Sequence, residues 1–177
     1  AFTQYGGGGH AQWTLAPRHQ LVLHYDRAQV DGAKRPDQLS GGDGNLIADL
    51  RNLMLDFGYL RYAGFGVGGF DQLSVTGSFN AQREERVNQG GNGNARGTIT
   101  HQYEKTRVWG QNGMASKQLG AHQLVLGADS YREGITAPSF TFNPVTGAIA
   151  AARPRIPDGA TYWLWGAYAQ ETWQVSR

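Results

Sequence analysis

The chain has 177 residues, enough for one domain, with 40% hydrophobic residues, a mean hydropathy of −0.49 and a formal net charge of +2. It contains no cysteine, which excludes disulfide frameworks and thiolate chemistry, and its small net charge gives no reason to expect a nucleic-acid partner. No run approaches the roughly 18 consecutive apolar residues of a membrane-spanning helix, so helical membrane proteins are excluded, whereas β-barrels, whose signal per strand is weak, remain.

Polar and apolar residues alternate along the chain in long runs, which is the period-two pattern of β-strands with one apolar and one polar face. The first strand is predicted at residues 2–15, and a glycine run weakens its middle. A tight link at Ala16–His19 leads to the second strand, at 20–29. A long polar loop at 30–52 follows.

The clearest alternation lies in the fourth predicted strand. The third strand is expected at 53–63, and a glycine-rich link at 64–69 connects it to the fourth strand at 70–82. A second long loop is expected at 83–103. One parity of the fourth strand is apolar and the other is polar, with Leu73, Val75, Gly77, Phe79 and Ala81 against Gln72, Ser74, Thr76, Ser78 and Asn80.

The last three strands are predicted at 104–118, 122–131 and 161–175. A short link at 119–121 and a long loop at 132–160 separate them. The facing of the fifth strand stays open, and a bulge would reconcile its two parities. The apolar residues of that strand divide between the parities, Val108 and Met114 against Trp109 and Ala115.

Proline positions support these boundaries. All six prolines fall in links, and none interrupts a proposed strand, where it would remove a ladder hydrogen bond. The N-terminal residues have neither a charged region nor an apolar run, so no signal peptide is present, and an exported protein would have lost its start from this chain.

Strand length and link length together favour a transmembrane barrel. Ordinary strands have about 5–6 residues, whereas a tilted transmembrane strand needs roughly 9–11. Short links at one end and long ones at the other are typical of outer-membrane barrels, with tight periplasmic turns and large extracellular loops. Trp163 and Trp173 share a face and span roughly 25 Å along the axis of a tilted strand, which matches the height of the apolar band.

The chain resembles the β-barrel region of TonB-dependent outer-membrane receptors over nearly its whole length. The segments that carry the resemblance are Tyr25–Arg27, Arg35–Leu50, Phe142–Gly147, Arg153–Gly159 and Tyr168–Trp173. The last of them reads aromatic-Ala-Gln-acidic-x-Trp, a strand motif common in such receptors. These motifs are moderately specific for the family and carry little information about the substrate.

The strand pattern predicts an all-β antiparallel up-and-down meander of about seven long strands. The resemblance implies that they form one partial barrel domain over residues 1–177. The family has a 22-stranded barrel around an N-terminal plug, so the chain would be a fragment that lacks the plug and the remaining strands. Gating and energy coupling would lie outside these residues, and the TonB complex would be a partner only through the missing plug.

Two sets of residues are the candidate contact surfaces. Ligand contacts are expected from polar residues of the long loops, Arg35, Asp37, Asp43, Arg153 and Arg155. Lipid contacts are expected from the apolar parity of three strands, Leu73, Val75, Phe79, Leu124, Leu126, Trp163, Trp165 and Trp173. The further partners expected are outer-membrane lipid, lipopolysaccharide and a small-molecule nutrient.

Other charged and polar groups favour simpler interpretations. Asp37, Asp43 and Asp49 do not fit the EF-hand spacing, so a glycine-rich loop is preferred to a calcium site. No histidine pair has metal-ligand spacing, although His10 and His24 lie on a polar parity that would face a lumen. We expect no metal, no cofactor and, because no nucleophile–base pair stands out, no enzyme.

The run Arg83–Arg86 is interpreted as a solvated rim, with contact to lipopolysaccharide phosphates as the alternative. The leading hypothesis is a receptor fragment in the outer membrane of a Gram-negative bacterium that imports a scarce nutrient, such as siderophore-bound iron, cobalamin or a glycan. The alternatives are a soluble carbohydrate-binding module with Trp109, Trp163 and Trp165 as sugar platforms, and an eight-stranded outer-membrane barrel missing one strand.

Overall fold

A computed structural model describes residues 1–39, 45–90 and 94–175. Strands dominate it, and the one helix is the single turn α1 (Pro36–Leu39). The strands are β1 (Thr3–Ala16), β2 (His19–Lys34), β3 (Ile47–Val67), β4 (Phe70–Gln89), β5 (Ile99–Leu119), β6 (His122–Thr136), β7 (Ser139–Phe142), β8 (Ile149–Ala151) and β9 (Thr161–Trp173).

The strands form one antiparallel meander in the order β1-β2-β3-β4-β5-β6-β9. Each long strand pairs with its neighbours in the sequence, as predicted for an up-and-down barrel segment. Seven of the strands are long, as expected. The short strands β7 and β8 continue the sheet beyond β6, with β7 pairing to the start of β5.

Three two-residue turns join the strands at one end, which we call the turn end. They lie at residues 17–18, 68–69 and 120–121. Gly68 and Gly69 both have positive φ, 62° and 83°, as a two-residue turn of type I′ requires. The expected turn near Gly66 is therefore displaced by two residues. The long connections all lie at the opposite end, the loop end.

The strands extend further toward the loop end than the sequence predicts. About half of the residues in the polar stretches expected as loops at 30–52 and 83–103 belong to strands, and only 35–46 and 90–98 connect the strands there. Alternating polar residues satisfy the period-two pattern without an apolar face, so hydrophobicity alone does not reveal them as strands. The third loop, expected at 132–160, contains β7 and β8.

The register is continuous except at two positions. Shifts occur between Thr14 and Ala16 and between Leu50 and Asn52. The pairing of β5 with β4 and with β6 shows no register shift, so the bulge that would have reconciled its two parities is absent. Its apolar residues therefore lie on both faces of one regular strand.

The sheet is a single layer with few buried side chains. Among the described residues the buried hydrophobic positions are Ala48, Ala81, Val87, Ile135 and Ala137, and large side chains such as Trp163 and Trp165 remain 76% and 78% exposed. None of the described helices is long and apolar enough to cross a membrane.

Candidate functional site

Cross-strand pairing shows on which of the two faces of the sheet each residue of a long strand lies. Residues that pair directly across a ladder lie on the same side of the sheet. We call the side of Leu73, Val75 and Phe79 the apolar face, and the side of Ser74, Thr76 and Ser78 the polar face. These names are kept below.

The eight residues expected to face lipid all lie on the apolar face. Leu73 pairs with Ala115, which pairs with Leu126, which pairs with Ala169. Phe79 belongs to the same side through Trp109, and the remaining members are Leu124, Val75, Trp163, Trp165 and Trp173. Contact of this face with lipid stays a prediction.

The fifth strand takes its facing from its neighbours. Trp109 pairs with Phe79 and their ring centroids lie 4.5 Å apart, so Trp109 belongs to the apolar face. Val108 and Met114 therefore lie on the polar face. Trp109, Trp163 and Trp165, considered as sugar platforms, share the apolar face with the aliphatic side chains.

Strand β3 reverses the simple expectation that the apolar parity always faces away from the lumen. Its apolar residues Phe57 and Tyr59 pair with Asn80 and Ser78, which places them on the polar face. Its acidic residue Asp56 lies on the apolar face, where Tyr25 Oη donates a hydrogen bond to it at 2.7 Å. The register between paired strands determines the face on which each residue of β3 lies. The sequence of one strand by itself does not give this register.

The charged run at residues 83–86 lies within β4 and alternates between the faces. Arg83 and Glu85 are on the apolar face, where Arg83 Nε donates to Asn52 Oδ1 at 2.5 Å and His101 Nε2 lies 2.8 Å from Glu85 Oε1. Glu84 and Arg86 are on the polar face and form an ion pair. The run is thus part of the sheet rather than a loop rim.

A cluster of charged groups occupies the loop end of the polar face. Glu84 and Arg86 come from β4 and Glu104 pairs directly with Glu84 from β5. Arg155, from the segment after β8, brings its guanidinium to 4.0 Å from Glu84 Oε1. Glu104 Oε1 is buried and has no hydrogen-bond partner among the described residues.

The charges of this cluster change the pKa of Arg86. Partial burial lowers the pKa of Arg86 from its ordinary value, and the positive charges of Arg155 and Arg35 lower it further, whereas Glu104 opposes the shift. Arginine stays protonated at any physiological pH. The three guanidiniums of this cluster, those of Arg35, Arg86 and Arg155, therefore stay positively charged.

The segment after β8 folds across the polar face beside this cluster. Ile156 lines a cavity of about 440 Å³ together with Val30, Leu53 and Leu55, although these residues come from strands far from β8 in the sheet. Glu84, the ladder partner of Leu53, and Glu104 also line this cavity. The cavity therefore combines apolar and charged side chains, as ligand sites commonly do.

A second cavity continues along the polar face toward the turn end. It has a volume of about 420 Å³ and shares Gln82 and Thr106 with the first. Phe57, Tyr131 and Glu133 are among its other lining residues. The two cavities form a continuous path along one wall of the sheet.

The structure brings together some of the residues expected to bind a ligand. Arg35 Nη2 donates to Asp37 Oδ2 at 2.7 Å, and this hydrogen bond lowers the pKa of the Asp37 carboxyl. Arg155 reaches the charged cluster, whereas Arg153 is exposed and forms no ion pair within the described residues. Asp43 lies outside the described residues.

No metal site appears among the described residues. They contain no group of three or more His, Cys, Asp or Glu side chains that could hold an ion. Asp49, considered for a calcium loop, lies in β3. His10 and His24 pair directly across β1 and β2 on the polar face, and His24 Nε2 lies 2.6 Å from Asp26 Oδ2.

In the sequence, Glu84 and Arg86 were considered only as members of the charged run at 83–86, and Glu104 and Ile156 were not considered as site residues. The first two continue the polar parity of the fourth strand, Ser78, Asn80 and Gln82, and that continuation was an available signal. The sequence carries no comparable signal for Ile156, because its position depends on a chain reversal across four strands.

Comparison with known proteins identifies the fold. No protein-family model matches the chain, and no curated protein does. A solved structure entitled copper transporter OprC matches 99% of this chain with a TM-score of 0.74 and 16% sequence identity. The chain covers 26% of that protein, so it spans about a quarter of the transporter's length. The fold is therefore an antiparallel β-meander of the kind found in a transporter barrel.

Proposed function

We propose that this chain is a segment of the outer-membrane barrel of a TonB-dependent receptor that imports a scarce nutrient. The single observation that supports it most is the sheet itself, seven long antiparallel strands with two-residue turns at one end and long connections at the other, superposing on a quarter of a transporter. The receptor family and the nutrient class come from the sequence resemblance.

In this proposal the apolar face contacts lipid and the polar face lines the lumen. The nutrient first meets the loop end, where Arg155, Glu84 and Glu104 surround the upper cavity. It then passes along the wall through the second cavity, which shares Gln82 and Thr106 with the first. Release past a plug driven by the TonB complex would use residues outside this chain.

The nutrient is a ferric siderophore, cobalamin or a glycan. Each of these is large, polar and rich in hydrogen-bonding groups, and each suits a cavity that joins charged side chains to an apolar wall. The name of the structural neighbour refers to copper, but a likeness at 16% identity is one of fold, and we do not assign that cargo to this chain.

The test uses a strain from which the full-length gene has been deleted. The strain is placed on three media, in which a ferric siderophore is the only source of iron, cobalamin is supplied at a growth-limiting level, or an oligosaccharide is the only source of carbon. Reintroducing the gene should restore growth on one of them, and deletion of TonB should abolish that growth. Restored growth without TonB would contradict the receptor family, and recovery of the protein only from the soluble fraction would contradict the barrel.

A segment exchange then tests the site. Replacing residues 152–158 by a Gly-Ser linker of equal length should abolish uptake and leave the protein heat-modifiable in the outer membrane, because the exchange removes Arg155 and Ile156. The matched control replaces 144–147, the turn between β7 and β8, and should preserve uptake. Unchanged uptake after the first exchange would remove the segment from the site.

A further inference from the structure

The apolar face carries two adjoining cavities, one at mid-sheet and one nearer the loop end. The larger, about 1100 Å³, is lined mainly by apolar and aromatic side chains from that face, among them Leu23, Tyr25, Leu60 and Phe79. The smaller, about 310 Å³, is lined by Arg107, Arg132, Gly134 and Thr161 with nearby main chain. Trp109 and Arg132 line both cavities, so the two are continuous.

Rows of paired residues show which cavity lies nearer the loop end. Trp109 pairs with Arg132, which pairs with Trp163, and this row borders the apolar cavity. The next row toward the loop end contains Arg107 and Gly134. An apolar groove therefore ends at a pocket flanked by two guanidiniums.

The two arginines are available to a ligand. Arg107 and Arg132 are exposed, and neither forms an ion pair with a carboxylate in the described ranges. Gly134 is the ladder partner of Arg107 and lies two residues from Arg132 on the same face of β6, so it adjoins both arginines. It has no side chain, and a Cβ added there would meet no atom within 4 Å. Two guanidiniums around an open floor suit a phosphate, because each can donate a fork of N–H bonds to its oxygens.

We infer that these cavities form a binding site for a phosphorylated glycolipid of the outer leaflet, lipid A. Its phosphate binds between Arg107 and Arg132, and an acyl chain lies in the apolar groove beside Phe79 and Trp109. The positions of the two cavities set the orientation of the lipid, because the arginines lie nearer the loop end and the apolar groove lies nearer mid-sheet. The inference depends on the proposed function, in which the apolar face contacts lipid.

The site differs from the charged run at 83–86, for which phosphate contact was the alternative interpretation. Arg83 already donates to Asn52 and Arg86 pairs with Glu84, so both guanidiniums have partners. Arg107 lies in β5 and Arg132 in β6, whereas those partners lie in β3 and β4. Both arginines are next to aromatic side chains that an acyl chain can contact.

The experiment uses full-length protein purified from the outer membrane and native mass spectrometry with bis-phosphorylated lipid A. The double variant Arg107→Gln/Arg132→Gln should lower the bound fraction at least tenfold. The control Lys117→Gln lies on the same face of β5 at the turn end and should bind as the unchanged protein does. Equal binding by the double variant and the unchanged protein would overturn the inference.

Two further arms separate charge from packing and one lipid from another. Gly134→Leu keeps both arginines but fills the pocket floor, so it should also weaken binding at least tenfold. Lipid A without phosphates and phosphatidylglycerol should bind at least tenfold more weakly than bis-phosphorylated lipid A. Equal binding of either lipid, or full binding by the Gly134 variant, would contradict the proposed site.

The same samples distinguish this inference from the proposed function. A heat-modifiable band in the outer-membrane fraction reports barrel insertion independently of lipid binding. If the unchanged protein inserts but the variants bind lipid A normally, only the glycolipid site is wrong. If the unchanged protein does not insert, the barrel proposal is wrong.

Discussion

Arg107 and Lys117 lie ten residues apart on the same face of β5, and every residue between them on that face is uncharged. At about 3.3 Å per residue and a tilt near 40°, the two charges are roughly 25 Å apart along a barrel axis, the height of a transmembrane apolar band. In β9 the corresponding uncharged stretch ends at Glu171, which precedes Trp173 on the same face. The Oε1 atom of Glu171 lies 2.7 Å from Nδ1 of His122.

A charge placed inside this band should destabilise the barrel. Ala167 pairs with Ala128 on the apolar face, so Ala167→Arg would place a guanidinium near the midplane and cost about 2–4 kcal/mol of unfolding free energy. Folding of the full-length protein into liposomes, followed by denaturant titration, measures the difference.

The matched control is one residue away. Gly166→Arg lies on the polar face, and a Cβ added there would come 3.4 Å from Asp129 Oδ1, so the new cation gains a carboxylate partner. This variant should cost less than Ala167→Arg. Equal costs in a barrel without its plug would contradict the assignment of the two faces.

The turn at Pro17–Arg18 contains an unfavourable backbone conformation. Arg18 has φ 71° and is the only non-glycine residue with positive φ in the described ranges. Arg18→Gly should stabilise the protein by about 0.5–1 kcal/mol, because relief of the left-handed conformation exceeds the added chain entropy. Arg18→Val should destabilise it, and equal stability of both variants in thermal unfolding would contradict this account.

Gly127 allows an aromatic ring to cross β6. A Cβ added at Gly127 would lie 2.4 Å from Tyr168 Cε1, and Tyr168 is its direct partner in β9. Because Tyr168 is 47% exposed and its ring can turn away, Gly127→Ala should cost about 0.5–1.5 kcal/mol, the range for a side chain forced from its preferred rotamer. Gly113→Ala is the control, because a Cβ at that strand position meets nothing within 4 Å. A smaller loss at Gly127 than at Gly113 would exclude the ring contact.

Asp31 stabilises the loop end of β2 in a pH-dependent manner. Gln29 Nε2 donates to Asp31 at 2.9 Å and Asn52 Nδ2 at 2.5 Å, and these bonds, that of Gln29 first, lower the pKa of the Asp31 carboxyl below 3.8. A lowered native pKa means that the stabilisation is present above the unfolded-state pKa and is lost as pH falls through the native one.

We therefore expect Asp31→Asn to lower the melting temperature at pH 7 and to have a shrinking effect below about pH 4. Melting temperatures measured from pH 2.5 to 7 for both proteins give the comparison. Asp37→Asn is a useful reference, because its partner Arg35 lies in a loop-end connection rather than in the sheet. A constant difference across the pH range would rule out the charge of Asp31 as the cause.

The seven long strands, the meander and the sorting of short and long connections follow from the sequence alone, whereas the short strands β7 and β8 lie in a stretch predicted as a loop. Alternation from Leu73 to Ala81 and from Trp163 to Trp173 identifies strands, and proline and glycine positions mark the turns. These features are local, because side-chain period and turn chemistry depend on near neighbours in the chain. The same period identifies Leu73, Leu126 and Trp163 as members of the apolar parity of their own strands, and the register places the three on one face.

Pairing between strands decided what the period left open. The facing of β3 depends on Phe57 meeting Asn80, and the extension of β4 to Gln89 depends on a partner strand that pairs with polar residues. Two further relationships, Ile156 beside Leu53 and Arg132 between Trp109 and Trp163, join residues that are distant in sequence. Such contacts form only when ladder hydrogen bonds set the register and chain reversal closes the loops, because neither is encoded in a local repeat.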